Sequence, residues 1–447
     1  LRSAHANVHD PTPPRAGRGV VHFPEGGIMR VVGLDFGTTH SAVAVWEGHG
    51  APRLATFRGS PAFRSILHFE PDLEDLRRPP RVRAGPAAIE RYLETAGDGR
   101  LVQSIKSFLA SPLFERTEIF GAVFELEDLV GRLILELRRA AEAELGPLGT
   151  RVVVGRPVRF AGDAKHLDER LALTRLRSAL ARAGFDDVGF ELEPVAAAHH
   201  YGLRIAAPER VLIGDFGGGT SDFSVLRLAP GERRADAEVL GTSGVGVAGD
   251  AFDAKLVRER VAPALGRGTH YRNLFGEVLP VPAWLYAHLE RWHHLSFLKS
   301  RSTLALLGDL EREALEPERL RAFGRLVRED RGFHVYRAIE TAKHELSRAD
   351  ASRVRYRDAG FSLDAPVERR DFEAWIGAEL GKIERCVDEV LTQSGVAATD
   401  VDRVFLTGGS ALVPAVRAIF ATRFGADKLR GGEELSSVAS GLALRAA

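Results

Sequence analysis

A ten-residue segment occurs twice in this chain, and the repetition limits the folds open to it. Val32-Gly33-Leu34-Asp35-Phe36-Gly37-Thr38-Thr39-His40-Ser41 returns 180 residues later as Leu212-Ile213-Gly214-Asp215-Phe216-Gly217-Gly218-Gly219-Thr220-Ser221. Each copy is an apolar strand, a turn of Gly and Thr, and a second strand with alternating apolar residues. Val43 and Val45 alternate in the first copy, Phe223 and Val225 in the second, which predicts two β-hairpins. The separation is too long for a solenoid repeat and fits a duplicated lobe.

The rest of the pattern supports α/β lobes. Strands are expected at 151–155 and 401–407, each between helical patterns. One helix is expected over Leu126 to Leu145. A second is expected to run unbroken from Arg370 to Ser394, with Gly395 as its stop. Helical pieces between Gly266 and Phe333 read as an elaboration of the second lobe. The expected division is 29–210 for lobe I, with an inserted subdomain at about 63–127, and 211–447 for lobe II, with an enlarged insertion at about 248–376. Segment 1–28 is rich in Pro, Gly, Arg and His and precedes the only methionine, Met29, so it is expected to be non-native or disordered.

Charge and cysteine usage narrow the function classes. The 61 basic and 61 acidic residues give a formal net charge of zero. Nucleic-acid and anionic-membrane binding ordinarily require a basic field, so neither partner is expected. The single cysteine, Cys386, excludes an intramolecular disulfide and a cysteine metal cluster, and fits a reducing, cytoplasmic setting. It falls among apolar positions of the long helix and is expected to be a buried thiol. No apolar run reaches the roughly 20 residues of a membrane-spanning helix.

A Gly/Thr turn between two strands lets consecutive backbone N–H groups converge on one point, where phosphate oxygens fit. Two such turns facing each other would clamp a di- or triphosphate, with Asp35 and Asp215 at the turn entrances to hold a hydrated magnesium ion. No Gly-x-x-x-x-Gly-Lys-Ser/Thr loop is present. Gly244-Val245-Gly246-Val247-Ala248-Gly249 matches the letters of a dinucleotide fingerprint but not its context. The adjacent pairs His199-His200 and His293-His294 diverge by about 100° on a helix and are expected to pack rather than ligate. Trp284, Trp292 and Phe297 read as a local core or a partner patch.

Five segments in order resemble the signatures of the ATPase domain of DnaK-type heat-shock chaperones: Leu34 to Ser41, Glu193-Pro194-Val195-Ala196-Ala197-Ala198, Gly214 to Asp222, Gly246 to Asp253, and Leu406-Thr407-Gly408-Gly409-Ser410-Ala411-Leu412-Val413-Pro414. The likeness is greatest to the shorter YegD-like homologues without a peptide-binding domain. It implies a two-lobed actin-like ATPase fold of duplicated ribonuclease-H-like lobes with a nucleotide cleft between them, binding ATP or ADP with Mg2+ and admitting K+. By this resemblance Asp35, Glu193, Asp215 and Asp222 surround the metal, mostly through water, and Asp215 orients the attacking water. Gly37, Thr38, Thr39, His40, Gly217, Gly218, Gly219 and Thr220 cradle phosphates, with Thr220 also catalytic. Lys106, in Gln103-Ser104-Ile105-Lys106-Ser107-Phe108, matches the catalytic lysine; only seven of the 61 basic residues are lysine. Glu340, Lys343 and Ser347 match ribose and base contacts, and Gly249, Gly408, Gly409 and Ser410 pass close to the nucleotide. His344 and Leu412 stand where the family stacks two arginines on adenine, so micromolar affinity is expected.

The implied activity is slow ATP hydrolysis that switches the lobes and signals to a protein partner or client, with a monomer favoured. The residues also admit a small-molecule kinase of the same superfamily, against which Lys106 and the double-Thr turn weigh. An ATP-dependent scaffold and a non-hydrolysing nucleotide sensor complete the alternatives. The end of the sequence at Gly441 to Ala447 is read as the end of the second lobe.

Overall fold

Both copies of the repeat form the expected hairpin, in the same register. Val31–Phe36 pairs with His40–Trp46, setting Asp35 opposite Ala42 and Phe36 opposite Ser41. Glu209–Phe216 pairs with Ser221–Ala229, setting Asp215 opposite Asp222 and Phe216 opposite Ser221. These are features of a computed structural model that describes residues 30–445 apart from 76, 96–98, 162–165, 232–235, 292–294, 296–297, 359 and 432–435. Segment 1–28, Trp292, His293, His294 and Phe297 lie outside the described residues.

Each hairpin seeds a sheet of the same plan. In the first, Arg151–Arg156 and then Asp187–Leu192 add in parallel to Val31–Phe36, while the short Arg53–Leu54 adds antiparallel to the far strand. In the second, Arg403–Thr407 and Leu429–Arg430 add in parallel to Glu209–Phe216, and Asp236–Val245 adds antiparallel beyond Ser221–Ala229. Two sheets with matching order and polarity confirm the duplicated, two-lobed α/β fold. The strands are apolar on both faces because both faces are covered.

Two helices made of small residues bring the sheets together. Glu193–Gly202 carries Ala196, Ala197 and Ala198, and Ser437–Arg445 carries Ala439, Gly441 and Ala443, all buried. A Cβ on Gly441 would stand 1.6 Å from the Ala196 carbonyl oxygen, so the close crossing depends on its absence. Val31, Ile213, Phe405, Val438 and Leu442 share a core cluster with these alanines, joining strands of both sheets at the floor of the cleft. Burying this apolar surface at about 25 cal/mol per Å2 holds the hairpin turns at a fixed mutual distance.

Local sequence accounts for most element ends and for two departures. The helix Leu126–Leu145 starts at a capping box between Glu125 and Asp128 and ends before Gly146, as expected. The long helix is broken: Arg369–Trp375 and Gly377–Ser394 meet at Ile376, which takes a non-helical conformation beside Gly377, a residue of low helix propensity. Gly395, at φ 64°, supplies the expected stop, and Cys386 is buried. The stretch expected to be helical pieces also holds a hairpin, His270–Arg272 with Val278–Pro280, whose five-residue loop the helical reading missed. The last strand of the second sheet's central pair begins at Arg403, two residues later than expected, after a 3-10 turn at Ala398–Asp400.

Candidate functional site

The two hairpin turns meet across a cavity of about 460 Å3, within the range of small-molecule sites. A Cβ on Gly218 would lie 2.6 Å from Thr39 Oγ1, so the turns approach backbone to side chain and a side chain at 218 would displace Thr39. Each turn is closed by its own hydrogen bond, Gly217 N–H to the Thr220 carbonyl at 2.9 Å and Gly37 N–H to Ser41 Oγ at 3.2 Å. Thr38, Thr39, His40, Gly37, Gly217, Gly218 and Thr220 all line the cavity. Gly219 sits behind them, against Ala161 and Thr38.

Carboxylates from both lobes converge at the cavity floor. Asp35 and Asp215 arrive on matching strands, and Glu193 is the first residue of the alanine helix. Lys106 lies on a short 3-10 helix, Ile105–Phe108, entered through Ser104 at φ 55°. Its Nζ donates to Glu193 Oε1 at 2.7 Å, and both side chains are buried. Burial opposes the Lys106 charge, but Glu193, Asp35 and Asp222 outweigh it and hold the ammonium protonated. Burial and then Glu193 push Asp35 up to about 7; burial, Glu193, Asp35 and Asp222 push Asp215 well up. One lysine does not neutralise this group.

Asp222 has other partners than those expected. It does not line the cavity. Its Oδ1 accepts the backbone N–H of Val158 at 2.8 Å and of Arg159 at 3.2 Å, from the loop after Arg151–Arg156. Asp222 therefore ties a lobe II strand to a lobe I loop. Burial followed by Glu193 raises it to about 7, against the Thr220 hydroxyl and these amides, which lower it.

At the opposite end, the helix Gly332–Leu346 presents Glu340, Lys343 and His344, with Ser347 just beyond it, all lining the cavity. Lys343 Nζ pairs with Asp253 at 2.8 Å, and the Ser347 hydroxyl donates to the Lys343 carbonyl. Gly249, Gly408, Gly409, Ser410 and Leu412 complete this wall. Gly408 is obligatory: at φ 86°, its Cβ would fall 2.0 Å from the Phe216 carbonyl oxygen.

Three charged lining residues lie outside the expected set. Asp250 and Asp253 stand three apart on the helix Gly249–Leu256 and so share a face. The spacing was visible inside the Gly246 to Asp253 segment. Asp250 donates its N–H to the Gly218 carbonyl at 2.8 Å, and burial with Asp253 lifts its carboxyl to about 7. Arg64, on a two-residue strand, had no sequence signal. It pairs with Glu340 at 2.7 Å and donates to His40 Nε2 at 3.2 Å. That nitrogen is therefore unprotonated; burial and Arg64 hold His40 down at about 4, as the neutral ring.

The oxygens of half-buried Asp35 and buried Glu193 and Asp215 suit a hard divalent cation, and their excess charge calls for one. Among the described residues, no three His, Cys, Asp or Glu side chains converge closely enough to bind a metal directly. The donor set therefore fits a hydrated ion better than a stripped one. His199 is buried on its helix and joins no such group. Trp284 is 44% exposed, and among the described residues no helix is long and apolar enough to cross a membrane.

Comparison with protein families gives a match to the model described as Hsp70 protein, over residues 104–264 and 331–447. The matched segments include Lys106, Glu193, the second hairpin and the helix Gly332–Leu346. Residues 265–330, between them, contain the additional hairpin and helices of lobe II.

Proposed function

This chain belongs to the Hsp70 protein family, whose members are nucleotide-binding, chaperone-like ATPases, and we propose that it binds Mg-ATP between its hairpins and hydrolyses it slowly. The observation that carries this reading is the contact of two hairpin turns of matching strand register across one cavity, above a lysine and three carboxylates supplied by both lobes. Backbone N–H groups of both turns, with Thr38, Thr39 and Thr220, would hold the β- and γ-phosphates. Lys106 would neutralise charge developing on the γ-phosphate. Asp215, whose buried carboxyl is already basic, would orient and accept a proton from the attacking water.

Asp35, Glu193 and Asp215 would hold Mg2+ through its waters, and the bound ion would neutralise the phosphates for in-line attack. Glu340, Lys343 and Ser347 would receive the ribose and base edge, with Gly408 and Gly409 admitting the nucleoside to the wall. His344 and Leu412 offer less stacking than two arginines, which supports micromolar affinity. The functional switch would be movement of 29–210 against 211–447, read by a protein partner.

The test is phosphate release by the wild type and Lys106→Ala. Mg2+-dependent release that falls about a hundredfold or more in the variant is the expected result. Equal release by both would remove Lys106 from the mechanism. No release by either, with ATP bound, would make the protein a nucleotide sensor.

A further inference from the structure

Lys106 sits on a single 3-10 turn, too short to hold its own direction, so something must fix it from outside. The helix Glu169–Arg182 does so from behind. Arg175, only 5% exposed, donates Nη1 to the carbonyl oxygens of Phe108, Leu109 and Ser111 at 3.3, 3.2 and 2.8 Å. These are the carbonyls that emerge from the C-terminal end of the Lys106 turn, where a cation is favoured. Glu127, from the helix Leu126–Leu145, lies 3.5 Å from Arg175 Nε and sets the guanidinium's orientation. The same Glu169–Arg182 helix makes a second attachment at its start, where Asp168 N–H donates to the Ala110 carbonyl at 2.9 Å. All four carbonyls from Phe108 to Ser111 are thus held by one helix and its cap.

The connection to Lys106 is one residue long. Leu109 donates its N–H to the Lys106 carbonyl at 3.2 Å and offers its own carbonyl to Arg175. On the cavity side, Glu193 holds the Lys106 head. The lysine is therefore fixed at both ends, by a carboxylate in front and a guanidinium behind.

We propose that Arg175 is a positioning residue for Lys106, setting where the ammonium stands relative to the γ-phosphate without touching the nucleotide. This rests on the reading of Lys106 as the catalytic lysine. A planar, permanently charged fork that bonds a backbone end and a carboxylate together is a task lysine performs poorly. Displacing a catalytic group by about 1 Å can cost on the order of a hundredfold in rate, so a loosened turn should be visible in kcat.

The experiment is a double-mutant cycle on the full chain, with Arg175→Met and Lys106→Ala alone and together, read as single-turnover ATP hydrolysis with ATP affinity measured in parallel. Arg175→Met is expected to lower the rate by about tenfold or more while changing ATP affinity less than about threefold. In the Lys106→Ala background, the same substitution should change the rate by less than about twofold, because its route to the chemistry is gone. Arg175→Lys should give an intermediate rate, and it carries the same cycle if the Met variant does not fold. Equal fold-losses from the Arg175 substitution in both backgrounds, or no loss with Lys106 present, would overturn the positioning role alone. A Lys106→Ala protein as fast as the wild type would overturn the lysine's role and, with it, that of Arg175.

Discussion

The two ends of the cleft are built from the same kinds of residue but balance their charge differently. At the end proposed to hold the phosphates, Asp35, Glu193 and Asp215 line the cavity against Lys106 alone, with Asp222 buried close by. At the end proposed to hold the nucleoside, Asp250, Asp253 and Glu340 face two cations, Lys343 and Arg64. The second end is one charge in excess, and a single proton on Asp250 removes it. The first end is short by more than a proton's worth, which is why it suits a divalent ion. The difference teaches which part of the proposed ligand each end would select: one a metal-bound phosphate, the other hydrogen-bonding edges.

The comparison can be broken most forcefully at the phosphate end. Asp215→Asn is expected to lower kcat by about a hundredfold or more, with ATP affinity nearly unchanged, because it removes a proton acceptor and not a phosphate donor. A steady-state assay showing the loss in KM instead would assign Asp215 to binding. At the nucleoside end, Glu340→Gln is expected to weaken ATP binding by about tenfold, roughly 1.4 kcal/mol, with hydrolysis of bound ATP little changed. Calorimetry showing unchanged affinity would mean that Arg64 keeps Glu340 from the ligand.

Asp250 sharpens the contrast through pH. Its folded carboxyl titrates at about 7, above the ordinary 3.8. The raised value favours the folded state fully below the unfolded pKa, and that stabilisation is lost as pH rises through about 7. In nucleotide-free protein, Asp250→Asn is therefore expected to raise Tm by a few degrees at about pH 8, and to show a shrinking advantage toward about pH 5. Melting curves in which the variant gains nothing at pH 8 would remove the excess charge from the nucleoside end. The smallest effect is expected from His344→Arg, which restores one cation to the adenine wall and should tighten ATP binding several-fold.

The Asp-Phe-Gly repeat made the hairpins, their register and the two-lobed fold legible, because period-two alternation around a Gly/Thr turn admits few other structures. The same pattern placed Asp35 and Asp215 at the turn entrances, whereas Glu193 and Lys106 entered only through the family resemblance. Arg64 was not legible: its strand is two residues long, and its pairing with Glu340 joins positions 276 apart. Asp222 repeats the acidic theme in sequence, but the folded loop offers it two amides before any ligand can. The break at Ile376 was hidden because apolar spacing continues through it, and periodicity does not register a one-residue change of backbone conformation.

The central claim, that the two hairpins and their carboxylates form one site for metal-bound nucleotide, is tested most directly by calorimetric titration of ATP with and without Mg2+. The expected result is micromolar binding with Mg2+ and a loss of about tenfold or more when the metal is chelated. Binding of equal strength in both conditions, or no binding in either, would contradict it.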